Sequence, residues 1–142
     1  MVDLDPQDPE DNELGDQWND PNVGNGSISL GNSTAAGTNT IAIGDSNLLT
    51  SAAGESIAIG KGNEITANTS YAFGFGNRLN GFGSVAVGFE NTSAGLAAVA
   101  IGFVTHAGSY AQTTVGLNSK VVDGNKNTYV ATDRLFVIGN GT

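Results

Sequence analysis

The chain has 142 residues, 21 of them glycine, with 13% charged residues and a formal net charge of −9. The absence of cysteine excludes disulfides and thiolate metal sites, and the five basic residues are too few for a nucleic-acid-binding surface. No stretch approaches the roughly 18 consecutive apolar residues of a membrane span.

Residues 1–22 differ in composition from the rest of the chain. They contain eight of the 14 acidic residues, all three prolines and no Lys or Arg. Proline opposes both helix and strand, and carboxylates that repel one another favour extension. We therefore predict an acidic lead-in or linker over residues 1–22.

Residues 23–122 form a predicted repeat array, in which short apolar phrases end in glycine. Two copies are Ser56-Ile-Ala-Ile-Gly60 and Ser84-Val-Ala-Val-Gly88. From Gly60 onward the glycines lie 14 residues apart, whereas the gap from Gly44 to Gly60 is 16 and predicts a two-residue bulge within residues 48–53. A short fixed period is typical of a solenoid, so we predict an all-β fold of about 14-residue coils. The predicted repeat-turn glycines are Gly31, Gly44, Gly60, Gly74, Gly88, Gly102 and Gly116.

Each phrase alternates large and small side chains. The residues three and one before the glycine are apolar, and the residue between them is small. Alternation with period two indicates a strand, and we predict that its large side chains point inward. A second short strand and two tight corners complete the coil. The predicted roll core is Ile41, Ile43, Ile57, Ile59, Val85, Val87, Val99 and Ile101.

Three further positions recur with the repeat. The glycine itself suits a corner that needs positive φ or a close backbone approach. Asparagine recurs three residues later, either as a coil-to-coil ladder of amides or as a residue that tolerates a left-handed turn. An apolar side chain often follows the glycine directly, and a stripe of such side chains predicts contact between subunits or, alternatively, with a ligand. The asparagines are Asn47, Asn63, Asn77 and Asn91, and the possible trimer stripe is Phe75, Phe89, Phe103 and Leu117.

The 14-residue spacing ends after Gly116, because the next glycine that ends such a phrase is Gly139. Solenoid ends need closure, since an open coil presents unpaired backbone groups. We therefore predict that residues 123–142 form a capping or transition segment.

The sequence contains few residues of the types that usually perform catalysis. His106 is the single histidine and is expected to be a solvated turn residue, and the acids of the array, such as Glu55 and Glu90, are scattered singly. A catalytic triad needs a base, and an active site on a solenoid needs carboxylates grouped in one groove. We predict no catalytic residue, no metal, no cofactor and no enzymatic activity.

The phrase Ser84-Val-Ala-Val-Gly88, at its 14-residue spacing, resembles the head repeats of trimeric autotransporter adhesins, the YadA-like heads, over residues 27–122. The segment from Thr128 to Thr142 is similar to segments that follow such heads in bacterial surface fibres and phage-like tail fibres. The resemblance implies a left-handed parallel β-roll, a homotrimer and display outside the cell, at the outer membrane. It further implies cell adhesion through a host-surface protein or glycan, without a membrane span in this segment. The alternative is the structural shaft of a phage-like or contractile-injection tail fibre.

Overall fold

The computed structural model describes residues 23–141, which form a parallel β-solenoid with no helix in that range. All strand pairs among the described residues are parallel. The predicted all-β solenoid of about 14-residue coils is confirmed. The strands are β1 (Ile28–Ala35), β2 (Ile41–Leu49), β3 (Ile57–Lys61), β4 (Glu64–Ile65), β5 (Tyr71–Phe75), β6 (Arg78–Leu79), β7 (Val85–Phe89), β8 (Thr92–Ser93), β9 (Val99–Phe103), β10 (His106–Ala107), β11 (Thr113–Leu117) and β12 (Phe136–Asn140).

The coils stack as a long-strand layer and a short-strand layer. The long layer runs β1-β2-β3-β5-β7-β9-β11-β12, with each glycine paired to the glycine of the next coil. The short layer runs from the end of β2 through β4, β6 and β8 to β10. Because β2 turns the corner and pairs with both β3 and β4, the two layers belong to one continuous hydrogen-bonded path.

The interior of the roll is lined by the small residue of each phrase. Ala42, Ala58, Ala72, Ala86 and Ala100 are 0% exposed. The prediction that the large residues fill the interior is therefore wrong. Ile59 and Ile101 are 39% and 41% exposed, and the other six are only half-buried, so all eight lie on the outer face of the long layer. The residues corrected in this way are Ile41, Ile43, Ile57, Ile59, Val85, Val87, Val99 and Ile101.

The reversal follows from the narrowness of the coil. A two-strand coil of about 14 residues encloses little volume, and a close-packed interior admits only the side chains that fill it, so an alanine of the long layer faces one larger side chain. The short layer supplies the larger partner, five residues after the glycine, as Leu49, Ile65 and Leu79, all fully buried. In the next two coils this position holds Ser93 and Ala107, so the apolar filling decreases toward the C-terminal end.

The repeat glycines combine a special backbone conformation with close approach. Gly60 has φ 125° and Gly74 has φ 119°, in the region that favours glycine. A Cβ at Gly60 would overlap the carbonyl oxygen of Gly74 in the next coil. The repeat glycines therefore lie inside the long strands rather than at a corner, but the two predicted reasons for glycine, positive φ and close approach, apply together there. Each repeat glycine pairs with the glycine of the next coil.

The asparagines form a buried ladder. Nδ2 of Asn63 donates to Oδ1 of Asn47 at 2.9 Å, Nδ2 of Asn77 to Oδ1 of Asn63 at 2.9 Å, and Nδ2 of Asn91 to Oδ1 of Asn77 at 3.0 Å. Thr105 continues the column, because its hydroxyl donates to Oδ1 of Asn91 at 2.6 Å. None of the four asparagines is among the residues with positive φ, so of the two interpretations the ladder is confirmed.

Two coils depart from the regular register. The pairing of β1 with β2 shifts between Asn32 and Thr34, which places Ala35 opposite Leu49. In the next coil the 16-residue spacing is absorbed at the corner after Thr50, where the chain turns and Ala53 donates its N–H back to the Thr50 carbonyl at 2.9 Å. The bulge expected within residues 48–53 is located there.

The C-terminal segment returns to the stack after a crossover. Residues 118–135 contain no strand, and β12 then pairs with β11 so that Gly139 lies opposite Gly116. On the way, the carbonyls of Asn125 and Lys126 accept hydrogen bonds from the N–H groups of Tyr110 and Leu96, at 2.7 and 2.8 Å. The predicted lead-in, residues 1–22, lies outside the described residues.

Candidate interaction face

The outer side of the long layer presents three columns of side chains that run along the solenoid. They hold the residues three before, one before and one after each repeat glycine, because neighbouring side chains of a strand point to opposite sides. We call this surface the apolar face. Its first column is Ile28, Ile41, Ile57, Tyr71, Val85, Val99, Thr113 and Phe136, its second is Leu30, Ile43, Ile59, Phe73, Val87, Ile101, Val115 and Ile138, and its third is Asn32, Asp45, Lys61, Phe75, Phe89, Phe103, Leu117 and Asn140.

The third column contains the predicted stripe. The rings of Phe75 and Phe89 stack with their centroids 4.9 Å apart, and those of Phe89 and Phe103 at 4.8 Å, with interplanar angles of 11° and 5°. Leu117 follows Phe103 in register. Phe103 and Leu117 are each 48% exposed, so stacking within the chain leaves about half of these side chains uncovered. The structure brings the four residues into one continuous stripe.

The third column is polar in its N-terminal half. Asp45 and Lys61 lie opposite one another in register and form an ion pair of 2.8 Å. The hydrogen bond from Lys61, and its charge, hold the pKa of Asp45 below its ordinary value, and the same contact raises the pKa of Lys61. The pair leaves no net charge at that level of the apolar face.

The apolar face is about as large as the largest apolar patches of typical monomeric proteins, which are often functional. Eight strands at about 4.8 Å spacing and a breadth of five residues give roughly 35 by 13 Å. Seven of its residues beyond the stripe, including Phe73 at 37% and Ile138 at 70%, are large apolar side chains with more than a third of their surface uncovered. Contiguous apolar patches of several hundred Å² are characteristic of protein interaction sites.

The sequence prediction missed most of this face. It recognised the stripe but assigned the neighbouring columns, such as Val85 and Val87, to the interior. The signal that could have found them is the alanine between them in five successive phrases, from Ala42 to Ala100, since it marks the side where space is limiting.

The one histidine has a partner. Nε2 of His106 lies 2.8 Å from Oδ1 of Asp123, and the imidazole is 16% exposed, so it is not the solvated turn residue that was expected. The hydrogen bond to His106 is the main cause that lowers the pKa of Asp123. The contact joins β10 to the crossover segment.

Two kinds of site are absent from the part of the chain that the structure describes. Residues 23–141 contain no group of three or more His, Cys, Asp or Glu side chains that could hold a metal ion. No helix in this range has the length and apolar character needed to cross a membrane.

Comparison with protein-family models, with curated proteins and with solved structures gives no match for this chain. The fold and the candidate site therefore define its class by themselves. It is a parallel β-solenoid protein of about six turns with an uncovered apolar face along its long-strand layer.

Proposed function

We propose that this chain is a non-enzymatic head segment of a trimeric surface adhesin, in which three copies pack through their apolar faces and the assembled rod attaches to host or matrix surfaces outside the cell. The observation that carries the proposal is the uncovered apolar face, which runs the length of a solenoid whose own interior is small. The site offers surface for association rather than groups for chemistry.

Association supplies apolar burial that the single chain lacks. Nine of the 12 buried apolar residues among those described are alanine, whereas most of the larger Ile, Val and Phe side chains lie outside. Each Å² of apolar surface removed from water contributes about 25 cal/mol, and fully burying an Ile or Phe contributes roughly 1.5–3 kcal/mol. Packing against other copies would therefore add hydrophobic stabilisation to that provided by the roll interior.

Three parallel copies fit the shape of the face. Its columns run along the solenoid axis. Copies related by rotation about an axis parallel to the solenoid therefore place the same coil of each chain at the same height, so that the stripes lie side by side and so do the ion pairs. The number three rests on the resemblance of the Ser-Val-Ala-Val-Gly repeats to trimeric autotransporter heads. A closed ring of identical copies also leaves no apolar face in water.

Assembly can be tested by placing a charge on the face. We expect sedimentation equilibrium to give the mass of three chains, and Val87→Asp to abolish assembly because the carboxylate would be buried without a partner. The matched control is Thr92→Asp, which lies in the next strand of the same coil, on the short layer and opposite Arg78. A folded wild-type monomer at micromolar concentration, or trimers of Val87→Asp, would contradict the proposal.

Adhesion requires its own measurement. We expect the wild-type assembly to be retained by immobilised matrix proteins or host cells, and a version with scrambled surface residues outside the apolar face to lose retention. The second candidate, a tail-fibre shaft, is favoured by the glycine-to-glycine pairing of every successive pair of long strands, which suits a stiff rod. An assembly that forms trimers but is retained by none of these surfaces would identify the shaft instead.

A further inference from the structure

A cavity of about 340 Å³ opens on the corner that precedes the long layer, away from the columns of the apolar face. Ligand pockets begin at roughly this size. Its lining is mainly polar and comes from four successive coils, with Thr38, Asn39, Glu55, Asn68 and Phe82 among the residues.

The hollow has a local cause in the sequence. Six residues before the repeat glycine, successive coils place Thr38, Gly54, Asn68 and Phe82 one above another. Gly54 has no side chain between Thr38 and Asn68, and an added Cβ would be in ordinary contact with the Thr38 carbonyl oxygen and the Asn68 side chain, at 3.5–3.8 Å. In the same coil the two-residue insertion carries Ser51 outward to form the rim. The irregular 16-residue coil thus builds a concave site into a surface that is otherwise regular.

The side chains around the hollow keep their hydrogen-bonding capacity. Oδ1 of Asn68 accepts the Gly54 N–H at 3.0 Å, which fixes the amide and leaves Nδ2 without a partner within residues 23–141. In that same range the side chains of Asn39, Glu55 and Thr69 form no hydrogen bond or ion pair. The cavity therefore presents both donors and acceptors at one place.

The backbone beneath these groups is rigid. The Glu55 N–H donates to the Thr38 carbonyl and the Thr69 N–H to the Gly54 carbonyl, both at 2.8 Å. Asn39, Glu55 and Thr69 share a left-handed conformation, with φ between 55° and 58°, so the three side chains leave the corner in the same way from successive coils. Groups held in place before binding lose little entropy when a ligand arrives.

One aromatic ring completes the wall. Phe82 is 55% exposed and stands one coil beyond Asn68. A phenyl ring beside mixed donors and acceptors matches a pyranose, which has an apolar C–H face and a rim of hydroxyls that both donate and accept.

We propose that this cavity binds a neutral or N-acetylated saccharide, which stacks on Phe82 and hydrogen-bonds to Asn39, Glu55 and Asn68. The proposal deepens the adhesive function proposed above and rests on it, since it names the class of receptor. Sugar hydroxyls donate to the Glu55 carboxylate and accept from Nδ2 of Asn68. Because Glu55 is anionic and no Lys or Arg lines the cavity, sialylated and sulfated glycans are disfavoured.

The test uses the full chain in its assembled form on an array of neutral, N-acetylated, sialylated and sulfated oligosaccharides. The neutral oligosaccharide with the strongest signal is then titrated in free form by calorimetry. Gly54→Leu fills the cavity without backbone strain, because Gly54 does not have positive φ and the nearest atom to an added Cβ lies at 3.5 Å. Phe82→Leu removes the ring and inserts the residue that Leu96 already provides at this position in the next coil.

We expect both variants to lose at least tenfold in affinity while they assemble like wild type. Tyr110→Leu, at the same position two coils further from the cavity, should bind normally. Binding that survives both substitutions, a preference for sialylated or sulfated glycans, or retention of peptides alone would overturn the inference. Retention on cells without glycan binding would overturn the inference and leave the adhesive function standing, whereas no retention on any surface would reject both.

Discussion

Asn77 shows how much of this fold depends on one side chain. Its Nδ2 donates to Oδ1 of Asn63, to the Phe73 carbonyl at 3.2 Å and to the Gly88 carbonyl at 3.1 Å, and its Oδ1 accepts from Asn91. The amide therefore satisfies polar groups in its own coil and in both neighbours. Since the side chain is 0% exposed, its removal would leave these partners buried, away from bulk water.

We expect Asn77→Ala to lower the free energy of unfolding by roughly 3 kcal/mol, because it leaves several buried donors and acceptors without partners. Urea denaturation followed by circular dichroism measures the change. Asn80→Ala is the matched control, since the Asn80 side chain is exposed and forms no hydrogen bond within the described residues. Equal stability of the two variants would contradict a structural role for the ladder.

Residue positions could be predicted better than residue orientations. The period identified Gly60 and its equivalents, and it placed the asparagines in one column. It did not say which face of the strand is inside, because Ile59 suits a protein interior and an interface equally well. It also missed the left-handed positions held by Val104 at φ 54° and Glu90 at φ 51°, since neither residue type favours that conformation.

Among the strands, those that recur with the 14-residue period could be predicted from the sequence. The long strands could be read from their phrases, and the short strands from the space that remained in each coil. The route of residues 118–135 could not, because it depends on contacts with no sequence signature. These are the backbone hydrogen bonds to Leu96 and Tyr110 and the contact of Asp123 with His106.

We expect acid to loosen this crossover. His106 lowers the pKa of Asp123, so the stabilisation is present above the unfolded value of about 3.9 and is lost as pH falls through the lower folded value. Amide exchange of Leu96 and Tyr110, whose N–H groups bond to the crossover, should therefore quicken as pH falls below about 4, after correction for intrinsic rates.

Asp123→Asn tests whether Asp123 causes this acid sensitivity, because the substitution should remove most of it. Asp45→Asn serves as the control: its carboxyl also has a lowered pKa, but its partner is Lys61 at the other end of the solenoid. If Asp45→Asn changed the exchange of Tyr110 as much as Asp123→Asn does, the assignment to Asp123 would be wrong.

The solenoid as a whole is uneven along its axis. Each coil contacts only its neighbours, so stability is a sum of local terms. The coils of β2, β4 and β6 bury Leu49, Ile65 and Leu79, whereas those of β8 and β10 bury Ser93 and Ala107. Replacing a buried Leu by a much smaller side chain removes roughly 2–5 kcal/mol. The N-terminal half of the stack should therefore be the more stable half.

Hydrogen exchange tests this gradient with equivalent amides. The N–H groups of Ile57, Tyr71, Val99 and Thr113 each donate to the chain one coil further on, at 2.8–3.0 Å. We expect Val99 and Thr113 to exchange at least tenfold faster than Ile57 and Tyr71, because less apolar surface opposes opening of their coils. Leu79→Ala should bring Tyr71 to the faster class and leave Ile57 less affected. Uniform protection along the stack would mean that the apolar face, which spans every coil, and not the interior, determines stability.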